Sequence, residues 1–263
     1  MNKLNKIKEN LKSDKKSIVL SGYFDSPNYV EFISSLDVDG VWLEGEHGPI
    51  DFKDIPNLSR ACDLYDVTSI FRITSHDYGL IYRYLDLGAQ GIVVPHVSTK
   101  EQAFNIINAS KYHPIGSRGM FTSRRGLKIP QQEYMDFANN DSLIIAIIED
   151  LEGLKNLDDI LKVDNIDVFF VAPNDLAQSM GIANNNSKDI LNQTIDASIA
   201  KIKKAKKKAG TLTNSNNIDK HLNMEIDLLL FDTNQFIKDG ISNLYNKIKK
   251  WIENKRINCR NKW

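Results

Sequence analysis

Cysteine is scarce: Cys62 and Cys259 are the two in 263 residues. Thiols this few and this far apart build neither a disulfide framework nor a Cys-rich zinc site, so a reduced, cytoplasmic protein is expected. A surplus of one charge is also lacking, since 34 Lys and Arg stand against 34 Asp and Glu, a formal net charge of +0. A dedicated nucleic-acid binder needs a basic excess to displace counterions, which argues against a nucleic-acid partner. No apolar run approaches the ~20 residues that cross a bilayer, which argues against a membrane partner. The opening stretch MNKLNKIKENLKSDKKS carries charge without an apolar core or a small-residue cleavage site, so no secretory signal is expected there. Neither GxGxxG nor GxxxxGK(S/T) occurs, so the phosphate-cradling turns of dinucleotide and P-loop folds are not expected. Nor is there a linker rich in Pro, Gly or Ser, and residues 1–263 read as one domain.

What is present is a regular alternation of strands and helices. Apolar, β-branched runs recur at Ser17–Phe24, Gly40–Glu46, Thr68–Ile73, Gly91–Pro95, Leu143–Glu149, Asp167–Pro173, Gly210–Ser215 and Asp227–Thr233. Most are apolar throughout, as suits strands of a parallel sheet buried on both faces. Helical spacing fills stretches between them, among them Phe52–Tyr65, Thr99–Ser110, Leu154–Lys162 and Ile190–Lys208. Eight such repeats predict a (β/α)8 TIM barrel, an α/β fold, over a doubly wound open sheet. The segment Ile241–Trp263 adds Leu244, Tyr245, Ile248, Trp251 and Ile252 at helical spacing, an extra C-terminal helix whose stripe needs cover from its own barrel or another subunit. The glycine- and arginine-rich stretch Tyr112–Pro130 reads as a long βα loop or lid, and Lys201–Lys208 as the solvated face of a helix.

In such a barrel chemistry gathers where strands end at their C-terminal rim. The expected strands end in Glu44-Gly45-Glu46-His47, in Arg72, in Pro95-His96, in Glu149-Asp150, in Pro173-Asn174-Asp175 and in Asp232. Ionisable groups ending apolar strands are costly unless paired or bound. Several have simpler readings: Arg72 as a tie to Glu46, His96 as a structural turn histidine, Asp232 as a helix cap. Glu149 and Asp175 end consecutive strands, so their carboxylates are expected on adjacent staves. Two carboxylates with at most one histidine nearby make a hard-oxygen site for Mg²⁺ or Mn²⁺. Such an ion polarises a 2-oxo acid, Arg72 suits its carboxylate or enolate oxygen, and His47 suits proton transfer, with Glu44 or Asp86 to orient it.

The blocks GVWLEGEHGPIDF, YLDLGAQGIVVPHVSTKEQA, KYHPIGSRG, IIEDLEGLKNLDDIL and NIDVFFVAPNDLAQSMG, with Arg72 between the first two, resemble the HpcH/HpaI aldolases over roughly residues 15–240. These are class II, metal-dependent pyruvate aldolases related to 4-hydroxy-2-oxoheptanedioate aldolase. The resemblance implies a barrel of the phosphoenolpyruvate/pyruvate superfamily, assembled as a hexamer built from dimers that exchange the C-terminal helix at 241–263. It puts metal ligation on Glu149 and Asp175, substrate binding on Arg72, Pro173 and Asn174, and catalysis on His47, Arg72, Glu44 and Asp86, the last acting from the neighbouring subunit. The implied reaction is carbon–carbon cleavage or formation through a pyruvate enolate, with a 2-oxo acid and an aldehyde as partners.

The chain departs from the family pattern at several points. Glu44 replaces the usual Asp, Ile147 the usual Gln, and Ala172-Pro173-Asn174-Asp175-Leu176-Ala177 the usual Gly-Pro-Ala-Asp-Leu-Ser. Thr211 and Thr213 stand where relatives are more apolar. A divergent member is therefore expected. Its alternatives are a citrate-synthase-like condensation of an acyl-CoA with a 2-oxo acid, and a non-catalytic paralogue.

Overall fold

The computed structural model describes residues 4–121, 123–182 and 188–260, with side chains through residue 253. The chain divides into two units, Met1–Phe231 and Asp232–Trp263. In the first and at its edge, eight strands close a barrel in sequence order. They are β1 (Ser17–Ser21), β2 (Gly40–Glu44), β3 (Thr68–Arg72), β4 (Gly91–Val94), β5 (Leu143–Ile148), β6 (Val168–Val171), β7 (Ala209–Leu212) and β8 (Leu228–Asp232). Successive strands from β1 to β8 pair in parallel. The (β/α)8 expectation is met, and every expected strand exists, though the expected ends run past the hydrogen-bonded ladder into the turns.

Alternation along each strand sorts side chains between two cores. Val19, Trp42, Ile70, Val93, Ile145, Ile147, Phe170 and Leu230 fill the barrel interior. Their neighbours Val41, Leu43, Phe71, Ile92, Ala146, Ile148, Phe169 and Leu229 pack outward in the larger core that the helices share. This parity decides where the rim groups lie. Glu44, Arg72 and Glu149 continue the inward series of Trp42, Ile70 and Ile147.

The other end of the barrel is closed by a helix that the sequence analysis did not anticipate, Lys6–Lys12. Its Ile7 and Leu11 join the interior cluster. Asn5 caps it, accepting from Lys8 N–H at 3.1 Å, and reaches across to donate to the Gln90 carbonyl at 3.0 Å. A Cβ on Gly40 would come within 2.6 Å of Ile7 Cδ1, so β2 starts with glycine where the plug enters.

Two expectations need correction. Tyr112–Pro130 is not a βα loop. It follows the helix Lys100–Ser110 and precedes the helix Gln131–Asp141, and Arg118 bonds to Asp86 at the end of the helix Tyr78–Asp86. Helices of a β/α barrel run back from the catalytic rim, so this segment belongs to the opposite end. Thr122 within it lies outside the described residues. The expected C-terminal helix begins earlier, as one 28-residue helix over Thr233–Arg260, with 261–263 outside the described residues. Asp232 does cap it, accepting from Asn234 N–H at 2.9 Å. The lysines of 201–208 follow the expected solvated face in part: the helix Lys188–Lys204 ends within the run, Lys201 and Lys207 pair with exposed Asp158 and Asp164, but Lys203 and Lys208 pair with buried Asp227. No helix among the described residues is long and apolar enough to cross a membrane.

Candidate active site

Register builds the first part of the site. Glu44 and Arg72 are direct neighbours on β2 and β3. Arg72 Nε donates to both Glu44 oxygens at 3.0 and 2.8 Å, and Nη1 lies 3.0 Å from Glu46 Oε2. Glu44 Oε1 also accepts the backbone N–H groups of Glu46 and His47, at 2.9 and 3.0 Å. One carboxylate therefore folds the turn after β2 and anchors the guanidinium. The turn is tight enough to require glycine at 48, where a Cβ would sit 2.4 Å from the Glu44 carbonyl oxygen. Among the described residues Arg72 Nη2 makes no bond, which leaves a donor edge for a ligand oxygen.

His47 stands on this turn with its side chain 68% exposed and Nε2 3.7 Å from Glu46 Oε2. The sequence analysis offered Glu44 or Asp86 as its partner. In the structure Glu44 holds the His47 backbone, and Glu46 is the carboxylate beside the ring. Burial pushes the Glu46 carboxyl above the usual range, against the pull of Arg72 and then His47.

Glu149 directly follows β5 and is 2% exposed. Its Oε1 accepts the His96 backbone N–H at 2.7 Å. Its Oε2 is buried with no hydrogen-bond partner among the described residues. Burial pushes this carboxyl up to about 7; the His96 N–H and ring pull it down, while Asp175 and Glu46 push it further up. Asp175 is half-buried in the first turn of the helix Pro173–Ser179, which starts after β6, with Pro173 half-buried and Asn174 exposed beside it. Both expected metal carboxylates are thus at the same rim and sense each other. Among the described residues no three of His, Cys, Asp and Glu form a ready-made cage. The donor set still fits a hard divalent cation. An orphaned, deeply buried carboxylate oxygen beside further carboxylates is costly unless a cation or a proton satisfies it.

Two groups at this centre were underrated from sequence. Glu46 links Arg72, His47 and His96, whose Nε2 is 4.0 Å away. His96, read as structural, has Nδ1 3.3 Å from Glu149 Oε1. Its spacing two residues past β4 gave no sign of this. The positive φ of 51° that turns the residue back onto β5 is not legible in a histidine codon by codon. Asp86 is absent from this cluster. Arg118, stacked on the Tyr112 ring 4.6 Å away, holds it at 2.5 Å, and burial pushes its carboxyl up despite that partner. Ile147 is 1% exposed inside the barrel, one inward position below Glu149.

Comparison with known proteins agrees with this architecture. The family model "HpcH/HpaI aldolase/citrate lyase" matches residues 23–237. A hydroxypyruvate/pyruvate aldolase of Pseudomonas aeruginosa is 32% identical over 212 residues, covering 80% of this chain and 79% of that one. A 4-hydroxy-2-oxovalerate aldolase of Novosphingobium aromaticivorans is 36% identical over 188 residues, covering 71% and 72%. Among solved structures, the citrate synthase SbnG superposes with a TM-score of 0.82 at 26% identity, over 92% of this chain and 97% of that chain. A closed eight-stranded barrel with this rim, a family match over most of its length and relatives above 30% identity together place the chain in the HpcH/HpaI aldolase/citrate lyase family.

Proposed function

We propose that this chain is a class II, divalent-metal-dependent carbon–carbon lyase that cleaves or forms a 4-hydroxy-2-oxo acid through a pyruvate enolate. The observation that carries the reading is Glu149: a carboxylate almost wholly buried at the barrel mouth, with one oxygen satisfied and the other open, beside Asp175. Glu149 and Asp175 would hold the ion, Mg²⁺ or Mn²⁺. When bound, it supplies a Lewis acid for the 2-oxo group.

The chain's own residues account for the rest. In cleavage the C3–C4 bond of the substrate breaks, the 4-hydroxyl proton leaves, and an aldehyde and the enolate of pyruvate separate; a proton then returns to C3. Arg72 offers Nη2 to the substrate carboxylate or enolate oxygen, and its fork is fixed by Glu44 and Glu46. His47, exposed at the mouth, moves the proton. Pro173 and Asn174 border the ligand beside Asp175. Asp86 enters from a neighbouring subunit, because within its own chain it belongs to the far end of the barrel. The protein works as a homo-oligomer in the cytoplasm.

The likeness to a solved citrate synthase favours a second reading, condensation of an acyl-CoA with a 2-oxo acid. The two are separated by assaying pyruvate plus aldehydes against oxaloacetate plus acetyl-CoA, each with Mg²⁺ or Mn²⁺. The lyase reading expects metal-dependent exchange of the pyruvate methyl protons with solvent, followed by NMR. Exchange as fast after EDTA treatment as in metal-replete protein would overturn it.

A further inference from the structure

We infer that the end of the barrel away from the carboxylate rim holds a second binding site, a basic cavity built on Lys111 that takes a small doubly charged anion, a phosphate ester or a dicarboxylate. The cavity has a volume of about 350 Å³. Lys8 and Lys12 line it from the plug helix Lys6–Lys12, and Lys111 from the C-cap of the helix Lys100–Ser110. Asn165 and Asp167 line it from the turn before β6, and Lys208 from the residue before β7. The cavity therefore lies at the N-terminal ends of the strands, whereas Glu149 and Asp175 follow the C-terminal ends of β5 and β6.

Charge and hydrogen bonding set the class of ligand. The lining carries four lysines and one carboxylate. That carboxylate is spent: Asp167 Oδ1 pairs with Lys8 Nζ at 2.8 Å, and Oδ2 accepts the Ile144 N–H at 2.8 Å. Lys208 is neutralised from outside the lining, by Asp14 and Asp227. Lys12 and the Asn165 side-chain amide have no partner among the described residues. Both are free to meet an anion.

Lys111 is the group that most needs one. It is 1% exposed, and no carboxylate pairs with it among the described residues. Its Nζ donates to the Asn139 and Ser142 carbonyls at 2.9 and 2.7 Å. An ammonium has three donors, so one is left for a ligand oxygen. A buried ammonium without a counter-ion is costly, and an anion in the cavity supplies one. Burial pushes the Lys111 amine down to about 7; Lys8 lowers it further, Asp167 resists, and Arg118 and Asp141 add smaller pulls down and up. An anion beside the amine raises it again, so binding at pH 8 takes up a proton and affinity falls as pH rises through about 7.

The position gives the site a structural consequence. Lys8 Nζ also reaches the Ser142 carbonyl at 3.3 Å, directly before β5. An occupant held by Lys8, Lys12 and Lys111 ties the plug helix to the starts of the two strands that lead to Glu149 and Asp175.

The test is calorimetric titration of the full-length protein in low-salt buffer, with sulfate as the probe for a phosphoryl head and malonate for a dicarboxylate. Neither probe titrates between pH 7 and pH 8, so any proton taken up goes to the protein. One saturable site is expected for at least one probe, weakened about tenfold by Lys12→Glu. Lys12 is exposed, so this change leaves the fold intact. Titrations in buffers of different ionisation heat should show proton uptake at pH 8, lost in Lys111→Met. Binding of sulfate alone or of malonate alone supports the site and names its head group. Binding that is lost in Arg72→Lys and kept in Lys12→Glu places the anion at the rim and overturns the inference. Binding without proton uptake removes Lys111 from the site and overturns it too, as does the absence of binding by both probes.

Discussion

A carboxyl held up near neutrality by burial changes stability in a direction that can be worked out. Glu149 is raised from its ordinary 4.5 to about 7. The folded protein's preference for the protonated form contributes fully below the ordinary value and is lost as pH rises through about 7. Glu149→Gln cannot ionise and can still accept the His96 N–H. In metal-free protein the variant should therefore melt higher than the parent at pH 8, by on the order of 1–3 kcal/mol, with the gap closing toward pH 5. Chelator-treated melts at both pH values check this, and a gap independent of pH would contradict it. The same variant should lose turnover. Arg72→Lys keeps the charge between Glu44 and Glu46 but not the fork, so kcat/KM should fall about 100-fold while the melting temperature stays within a few degrees. An unchanged kcat/KM would remove the guanidinium from the reaction. At this scale the sequence was legible where strand parity does the pointing. Glu44, Arg72 and Glu149 each close an apolar strand, so their place follows from the pattern alone. His96 and Glu46 lie beyond the ladders, where turn dihedrals aim side chains, and no spacing rule reaches them.

At the scale of elements, apolar runs were enough to find all eight strands, since burial on both faces leaves a continuous signal. The helix Lys6–Lys12 was missed because about two turns with two core residues among lysines look like a solvated tail. Its function is to stop the barrel. Ile7 is fully buried, its N–H donates to Thr68 Oγ1 at 3.3 Å, and Asn5 N–H donates to Asp141 Oδ1 at 2.8 Å. Ile7→Ala should cost about 2–5 kcal/mol in urea unfolding, the usual range for emptying a closed site in a core. Because the plug meets the strands at their N-terminal ends, metal affinity should not follow. A loss under 1 kcal/mol would mean that the helix is dispensable to the core. The loop Tyr112–Pro130 failed for the opposite reason. Its composition resembles a catalytic lid, but composition carries no information on which end of a barrel a connection occupies. Arg118 and Arg125 are committed to Asp86 and Asp63 there.

At the scale of the whole molecule, the helix Thr233–Arg260 has an apolar stripe of Ile237, Ile241, Leu244, Tyr245, Ile248 and Ile252, each at least 40% exposed. Such a stripe on a long helix marks an interaction surface. The sequence showed the stripe and not the start of the helix, since Gly240 interrupts the pattern where the backbone continues unbroken. Asp86 makes a second argument for assembly. It is expected in the reaction, yet within its own chain it is bound to Arg118 and stands apart from Glu149, Arg72 and His47. Both features are explained if neighbouring subunits complete each other. Truncation after Asn243 removes Leu244, Tyr245, Ile248 and Ile252 and leaves the barrel's own core intact. The truncated chain should form smaller particles by light scattering, lose most of its turnover, and still bind metal, because Glu149 and Asp175 belong to one chain. A truncated chain of parental size would show that the stripe is not the contact that holds subunits together. A smaller particle with full turnover would keep the stripe as the contact and take Asp86 out of the active site.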